Sequence, residues 1–189
     1  PGDSEKLRAA RVEHPAFGNF VEVNVAPHRI SGYAIVTVSL KPIGGIPGDA
    51  TSAQMRALAE ASERFGFGEL RISHEQNVIL PHVKEDDLFA LWTILDAAGL
   101  ATANAGLVSD IISCPGLDYC SLANARAIPV AQELTRRFRD LNLARDLGRD
   151  LGVREDVLEQ TRHHIDAHVV RVAARGLLKC GAVDTDEVR

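Results

Sequence analysis

Three cysteines in 189 residues, Cys114, Cys120 and Cys180, are too few and too oddly numbered for a disulfide framework in a domain of this size. Reduced thiols are expected, and Cys114/Cys120 is the one local pair that could hold a metal. An excess of basic charge is also missing. Lys and Arg number 21 against 26 Asp and Glu, a formal charge of −5, so no general field exists to recruit nucleic acid or an anionic membrane. No apolar run approaches the roughly 20 residues of a membrane helix. Residues 1–15 lack the basic-then-apolar pattern of a secretory signal, so a cytoplasmic protein is expected. Neither an internal repeat nor a low-complexity tract is visible. The chain starts at Pro1 rather than Met and is read as a fragment or a processed product.

What is there is ordinary for a globular protein: 46% hydrophobic and 25% charged residues, enough for one substantial domain or two small ones. Residues 1–31 are polar and contain proline, with a short alternating stretch at Phe20–Val25. Tyr33–Leu40 is short and rich in β-branched residues, hence a strand. Lys41–Asp49 is too dense in Gly and Pro for regular structure. Thr51 or Ser52 can cap a helix that runs to about Phe65, with Met55, Leu58, Ala59 and Phe65 near helical spacing and Gly66 and Gly68 ending it.

Leu70–Ile72 and Val78–Leu80 read as short strands around Ser73–Asn77, with Pro81 closing the second. A helix from Asp86 or Asp87 passes through Leu88, Leu91, Trp92 and Leu95 and stops at Gly99; Ala101–Ile112 can hold a last strand. The order strand, helix, strand, strand, helix, strand is the split βαβ, or ferredoxin-like, arrangement, and the fold class is α+β. Cys114–Cys120 is a turn-rich loop leading into a helix from Ser121 to about Leu141, which Pro129 should kink or restart. From Arg145 onward the chain is charged and helix-prone, with an apolar stripe through Val157, Leu158, Ile165, Val169, Val172, Leu177 and Leu178.

Several clusters invite chemistry and have plainer readings. Cys114 and Cys120 could be small buried core residues. Cys180 stands alone and reads as structural or incidental. His164 and His168 are spaced i,i+4 near His163 and Asp166, but no third ligand occurs at a known metal spacing, so a solvated helix face is the better reading. His74-Glu75 does not continue as HExxH. Gly44–Gly48 lacks the GxxxxGK[ST] pattern of a phosphate cradle and reads as a turn-rich loop.

Three segments, in order and at matching spacing, resemble the sirohaem-dependent nitrite and sulfite reductases: Gly32–Thr51, Glu69–Pro81 and Ser109–Arg126. The resemblance runs from about His14 to about Leu143 and corresponds to the C-terminal half of that family. It implies an enzyme of two similar halves with sirohaem between them and a [4Fe–4S] cluster held by a C-x5-C pair and a later C-x3-C pair. Electrons would pass through cluster and haem, six per nitrite or sulfite, from ferredoxin or an NADPH-linked flavoprotein. By position, Cys114 and Cys120 match the first cluster pair, and Arg71, Gln76 and Asn77 match the segment facing the cofactor cleft. The chemistry agrees: thiolates suit cluster iron, loop N–H groups and a following helix N-terminus favour an anionic cluster, and Arg and amide side chains suit the carboxylates of a sirohaem.

The family's second pair, Gly-Cys-x-x-x-Cys-Gly, has no counterpart after Leu143, where Gly152–Glu159 and a helix-prone stretch stand instead. A reading-frame change, a junction with another sequence or true divergence would each explain this. The expected organisation is a ferredoxin-like half domain at 1–107, the start of an α/β sirohaem/[4Fe–4S] domain at 108–143, and a helical tail at 144–189. No catalytic residue is assigned, because the family's anion-binding Arg and Lys residues lie mostly in its N-terminal half, the expected partner. The expected function is a fragment of a sulfite or nitrite reductase, inactive alone. The alternative is a non-catalytic ferredoxin-like module that has lost its cluster and binds a partner protein. A weaker third is a small zinc protein using Cys180 and the histidine group.

Overall fold

Ser4 opens the first helix, which the sequence pattern did not reveal: its Oγ accepts the N–H of Leu7 at 3.0 Å and caps α1, Glu5–Glu13. The computed structural model describes residues 4–139. The expected helical tail at 144–189, Cys180 and the His163, His164, Asp166 and His168 group lie outside the described residues. Pro15 takes the first position of α2, Pro15–Asn24, where a missing N–H is harmless, and it holds His14 out of helical geometry between the two helices. The alternating stretch is therefore mostly helix. Phe17, Phe20, Val21 and Asn24 are buried on one face of α2, and only Val25–Pro27, β1, is extended.

Strand β2, Tyr33–Ser39, alternates half-buried and buried positions, the period of a sheet covered on one face. A capping box opens α3, Ser52–Phe65: Thr51 Oγ1 accepts the N–H of Gln54, and Gln54 Oε1 accepts the N–H of Thr51. The buried face of α3 is Leu58, Ala61 and Ser62, while Met55 is half exposed, so the expected apolar face is rotated. Gly66 caps the helix, and Gly68 at φ +73° donates to Ser62 O. Strands β3, Arg71–Ile72, and β4, Asn77–Lys84, form a hairpin, and α4, Leu88–Ala97, follows a 3₁₀ turn at Glu85–Asp87.

Pro81 does not close β4; it lies buried inside it. The strand tolerates it because β3 pairs only with Val78 and Ile79, so no neighbour on that side needs the missing N–H. On the other side the register slips between Val36↔Leu80 and Ala34↔Val83, leaving Pro81 and His82 opposite Ile35 alone.

The sheet order is β1-β2-β4-β3, every neighbour antiparallel. Strand β2, helix α3 and strand β3 form a split βαβ unit with β4 inserted between its strands, as expected. The fourth place is filled differently. Ala101–Ile112 is turns and bends rather than a strand, and β1, from the N-terminal side, occupies the edge beside β2. Asn24 secures the substitution: its Nδ2 donates to Thr37 O at 2.8 Å and Thr102 O at 3.0 Å, so the 101–105 segment runs alongside without joining the ladder.

One face of the sheet, through Val36, Val38, Val78, Leu80 and Val83, buries against α1–α4, where Phe17, Phe20, Leu58, Leu91 and Leu95 meet it. Residues Ile111, Ala131, Leu134 and Phe138 form a second, smaller cluster under the last described helix, α5, Ala127–Phe138. That helix starts at Ala127 rather than Ser121. Pro129 falls in its first turn, where no intrahelical N–H is required, so it marks the start instead of kinking the middle.

Candidate cofactor-facing site

The β3–β4 hairpin turn carries the expected amide residues. Ser73 N–H reaches Asn77 O at 2.9 Å, Gln76 N–H reaches Ser73 O at 3.2 Å, and Gln76 sits at φ +59°, a left-handed conformation that non-glycine residues seldom adopt. Beside the turn, at the end of β2, lies a residue the sequence did not single out. The Lys41 side chain is fully buried, and its Nζ bonds Asp110 Oδ1 at 2.6 Å, Asn77 Oδ1 at 2.7 Å and the carbonyl of Glu75. Three acceptors around one nitrogen match the three donors of an ammonium. Burial pulls the Lys41 pKa down, and the hydrogen bond and charge of Asp110, with the charge of Glu75, push back. Burial likewise raises Glu75, but the Ser73 hydroxyl, its own backbone N–H, His74 and Lys41 together outweigh it and leave the carboxyl below its ordinary range.

Asp110 is shared further. Asn77 Nδ2 lies 3.2 Å from both of its oxygens, and Gly106 N–H donates to Oδ2 at 2.7 Å. Asn104 adds a second buried tie, donating to Lys41 O at 3.0 Å and Ser109 O at 3.2 Å. The hairpin turn is thereby fastened to the segment that precedes Cys114. Gln76 fastens the same segment closer to the thiol: its Nε2 donates to Ser113 O at 3.1 Å and its Oε1 accepts Ser113 N–H at 3.3 Å.

Of the three residues expected to face a cofactor, Gln76 and Asn77 therefore meet the cysteine segment, and Arg71 does not. Arg71 lies on the sheet edge with its Nη2 2.7 Å from Glu69 Oε1. Glu69 Oε2 is 3.6 Å from His82 Nε2, and His82 Nδ1 is 3.0 Å from His28 Nε2. Ile30 N–H donates to His28 Nδ1 at 2.9 Å, which leaves Nε2 as the His28 nitrogen that can donate a hydrogen bond to His82 Nδ1. This polar line from β1 to β3 has no sequence signature, because its members are brought together only by strand order and the Pro81 bulge.

Cys114 is exposed and Cys120 half exposed, both as free thiols. Between them a 3₁₀ turn at Gly116–Asp118 closes with Cys120 N–H on Gly116 O at 2.8 Å, and Leu117 N–H reaches Ala125 O at 3.1 Å. Gly116 is required twice over: φ is +60°, and a Cβ there would stand 2.5 Å from Ala125 O. Helix α5 begins at Ala127 and not directly after Cys120, so its N–H groups do not follow the second thiol in the chain as expected. Two accessible thiols on a glycine-set turn suit one face of an iron–sulfur cluster, which prefers soft thiolates, and supply half of a four-cysteine set. Among the described residues no group of three or more His, Cys, Asp or Glu could hold a metal ion. The Gly44–Gly48 loop packs on α5 of the same chain: Gly44 N–H donates to Thr135 Oγ1 at 2.9 Å, and the Arg136 side chain lies against Gly44. Among the described residues no helix is long and apolar enough to cross a membrane.

The split βαβ unit with its hairpin turned toward a cysteine loop defines an α+β ferredoxin-like half domain. Residues 31–98 match the nitrite/sulfite reductase ferredoxin-like half domain, and the chain is similar to nitrite and sulfite reductases. It is 31% identical over 121 residues to the chloroplastic ferredoxin–nitrite reductase of Zea mays, covering 61% of this chain and 20% of that protein. It is 31% identical over 116 residues to the ferredoxin–nitrite reductase of Synechococcus elongatus, covering 59% and 22%. Against sulfite reductase (ferredoxin) 2 of Mycolicibacterium paratuberculosis the identity is 26% over 109 residues, covering 56% and 20%. The chain thus spans about a fifth of the length of these relatives. The matched stretch includes β2 to α4 but not β1, so the strand that completes the sheet comes from outside it.

Proposed function

We propose that this chain is part of a ferredoxin-dependent nitrite or sulfite reductase, in which Cys114 and Cys120 hold one face of a [4Fe–4S] cluster. Residues 108–143 would begin the cluster-binding domain. The hairpin bearing Arg71, Gln76 and Asn77 would line the sirohaem cleft, and the N-terminal half of the enzyme would complete the site. When bound, cluster and sirohaem supply electrons for the six-electron reduction of the anion. The chain's own part is to present two thiolates and to hold them against the half domain. The observation that carries this reading is the fastening of the cysteine segment to the half-domain hairpin by Lys41–Asp110 and Gln76–Ser113, one unit joining the family match to the ligand pair.

The test is anaerobic loading of the whole chain with ferrous iron and sulfide. Bound iron and labile sulfide are expected, both abolished by Cys114→Ser or Cys120→Ser. Iron uptake indifferent to both substitutions sinks the reading. A second reading, a partner-binding module without a cluster, draws on the exposed Tyr119 and Leu122 beside the thiols, at 77% and 89% exposure. It predicts that those substitutions leave every property of the chain unchanged.

A further inference from the structure

We infer that Gln76 is a positioning residue for Cys114 and that it sets where the thiol stands relative to Cys120. The inference rests on the proposed ligand role of the two cysteines and deepens it.

Both polar atoms of the Gln76 side chain are committed to one residue. Nε2 and Oε1 take the carbonyl and the N–H of Ser113, and Ser113 Oγ donates to Cys114 O at 3.1 Å. A reciprocal amide pair of this kind fixes rotation of the backbone about Ser113 as well as its distance. The direction in which Cys114 leaves the chain follows. On the other side Gln76 is itself immobilised: Lys41 Nζ bonds the carbonyl of Glu75 before it and Oδ1 of Asn77 after it.

Two backbone features accompany this contact. Gln76 holds the left-handed conformation at φ +59°, which is costly for a residue with a side chain and turns that side chain off the hairpin toward the cysteine segment. Gly48 lies against it, and a Cβ there would stand 3.1 Å from both Cβ and Cδ of Gln76. Cys120 is fixed separately, by the Gly116 turn. With both thiols oriented in advance, a soft ion meets a formed pair and spends none of its binding energy ordering the loop.

The probe is Cd²⁺, whose thiolate complexes absorb in the ultraviolet, titrated under reducing conditions into the full chain carrying Cys180→Ser. One ion bound through both Cys114 and Cys120 is expected. Gln76→Ala and Gln76→Met should weaken it about 10- to 100-fold, the usual effect of removing a residue that orients a ligand. The near-ultraviolet signal of Trp92, remote on α4, should stay unchanged. Equal affinity in the variants overturns the positioning role and leaves the cysteine pair standing. Cd²⁺ uptake that ignores Cys114→Ser and Cys120→Ser overturns both. Should the variants fail to fold, the native chain decides: Ser113 N–H must exchange with solvent at least about tenfold more slowly than in the unfolded chain, and exchange at the unfolded rate overturns the role.

Discussion

Residues 4–100 and residues 101–139 are held by different forces. The first region rests on apolar area: a sheet face and four helices bury one continuous cluster from Leu7 to Leu100. The second has a small cluster, Ile111, Ala131, Leu134 and Phe138, and its place is set by Asn24–Thr102, Lys41–Asp110, Asn104–Lys41, Gln76–Ser113 and Gly44–Thr135. Burial is non-directional and tolerates small displacements, whereas a hydrogen bond weakens within a few tenths of an ångström. The segment that carries the two thiols is thus tied by the more exacting force.

The sharpest way to break this contrast is Lys41→Met. It leaves Asp110, with its side chain 5% exposed, as an uncompensated buried charge, and should cost about 3–5 kcal/mol in urea unfolding. Adding Asp110→Asn should return about 1–3 kcal/mol of that, because the two residues are in direct contact. Leu91→Ala opens the larger core at a fully buried position and should cost about 2–5 kcal/mol, lowering the unfolding midpoint of the whole half domain. Gly116→Ala acts on the second region alone. The new Cβ meets Ala125 O in a left-handed backbone, so about 1–3 kcal/mol of local stability should vanish, seen as faster amide exchange at Leu117 and Cys120 with the sheet amides unchanged.

The smallest effect is electrostatic. Glu75 titrates below its ordinary range in the folded chain, so its contribution is complete above the unfolded pKa and disappears as pH falls through the lower, folded one. The stability difference between the native chain and Glu75→Gln should therefore be flat above about pH 5 and shrink below it. A difference that grows on acidification contradicts the assignment.

Much of the half domain was legible because its elements are written locally. The β-branched run at Tyr33, the Thr51–Gln54 box and the Gly99 stop each specify their element within a few residues. The N-terminal helices were hidden by a sequence that alternates and turns helically at once, and Phe20–Asn24 resolves that ambiguity only by which residues find the core. Ala101–Ile112 misled because it has strand-like composition, yet β1 already holds the only free edge beside β2. In the candidate site, the thiol pair and the amide pair could be read from segment order. Lys41 could not, since an isolated lysine after a strand looks like any solvated one until Asp110, distant in sequence, is placed against it.

By itself the sequence determined the split βαβ unit, the family it resembles and the position of two thiols on a glycine-set loop, because local propensity and motif spacing act over short stretches of chain. Only the tertiary structure decided which strand completes the sheet, that Pro81 rides in a bulge, and that Gln76 and Lys41 turn inward to hold the cysteine segment. Those outcomes depend on which residues distant in sequence become neighbours, and a buried polar group acquires its meaning only from the partner that satisfies it.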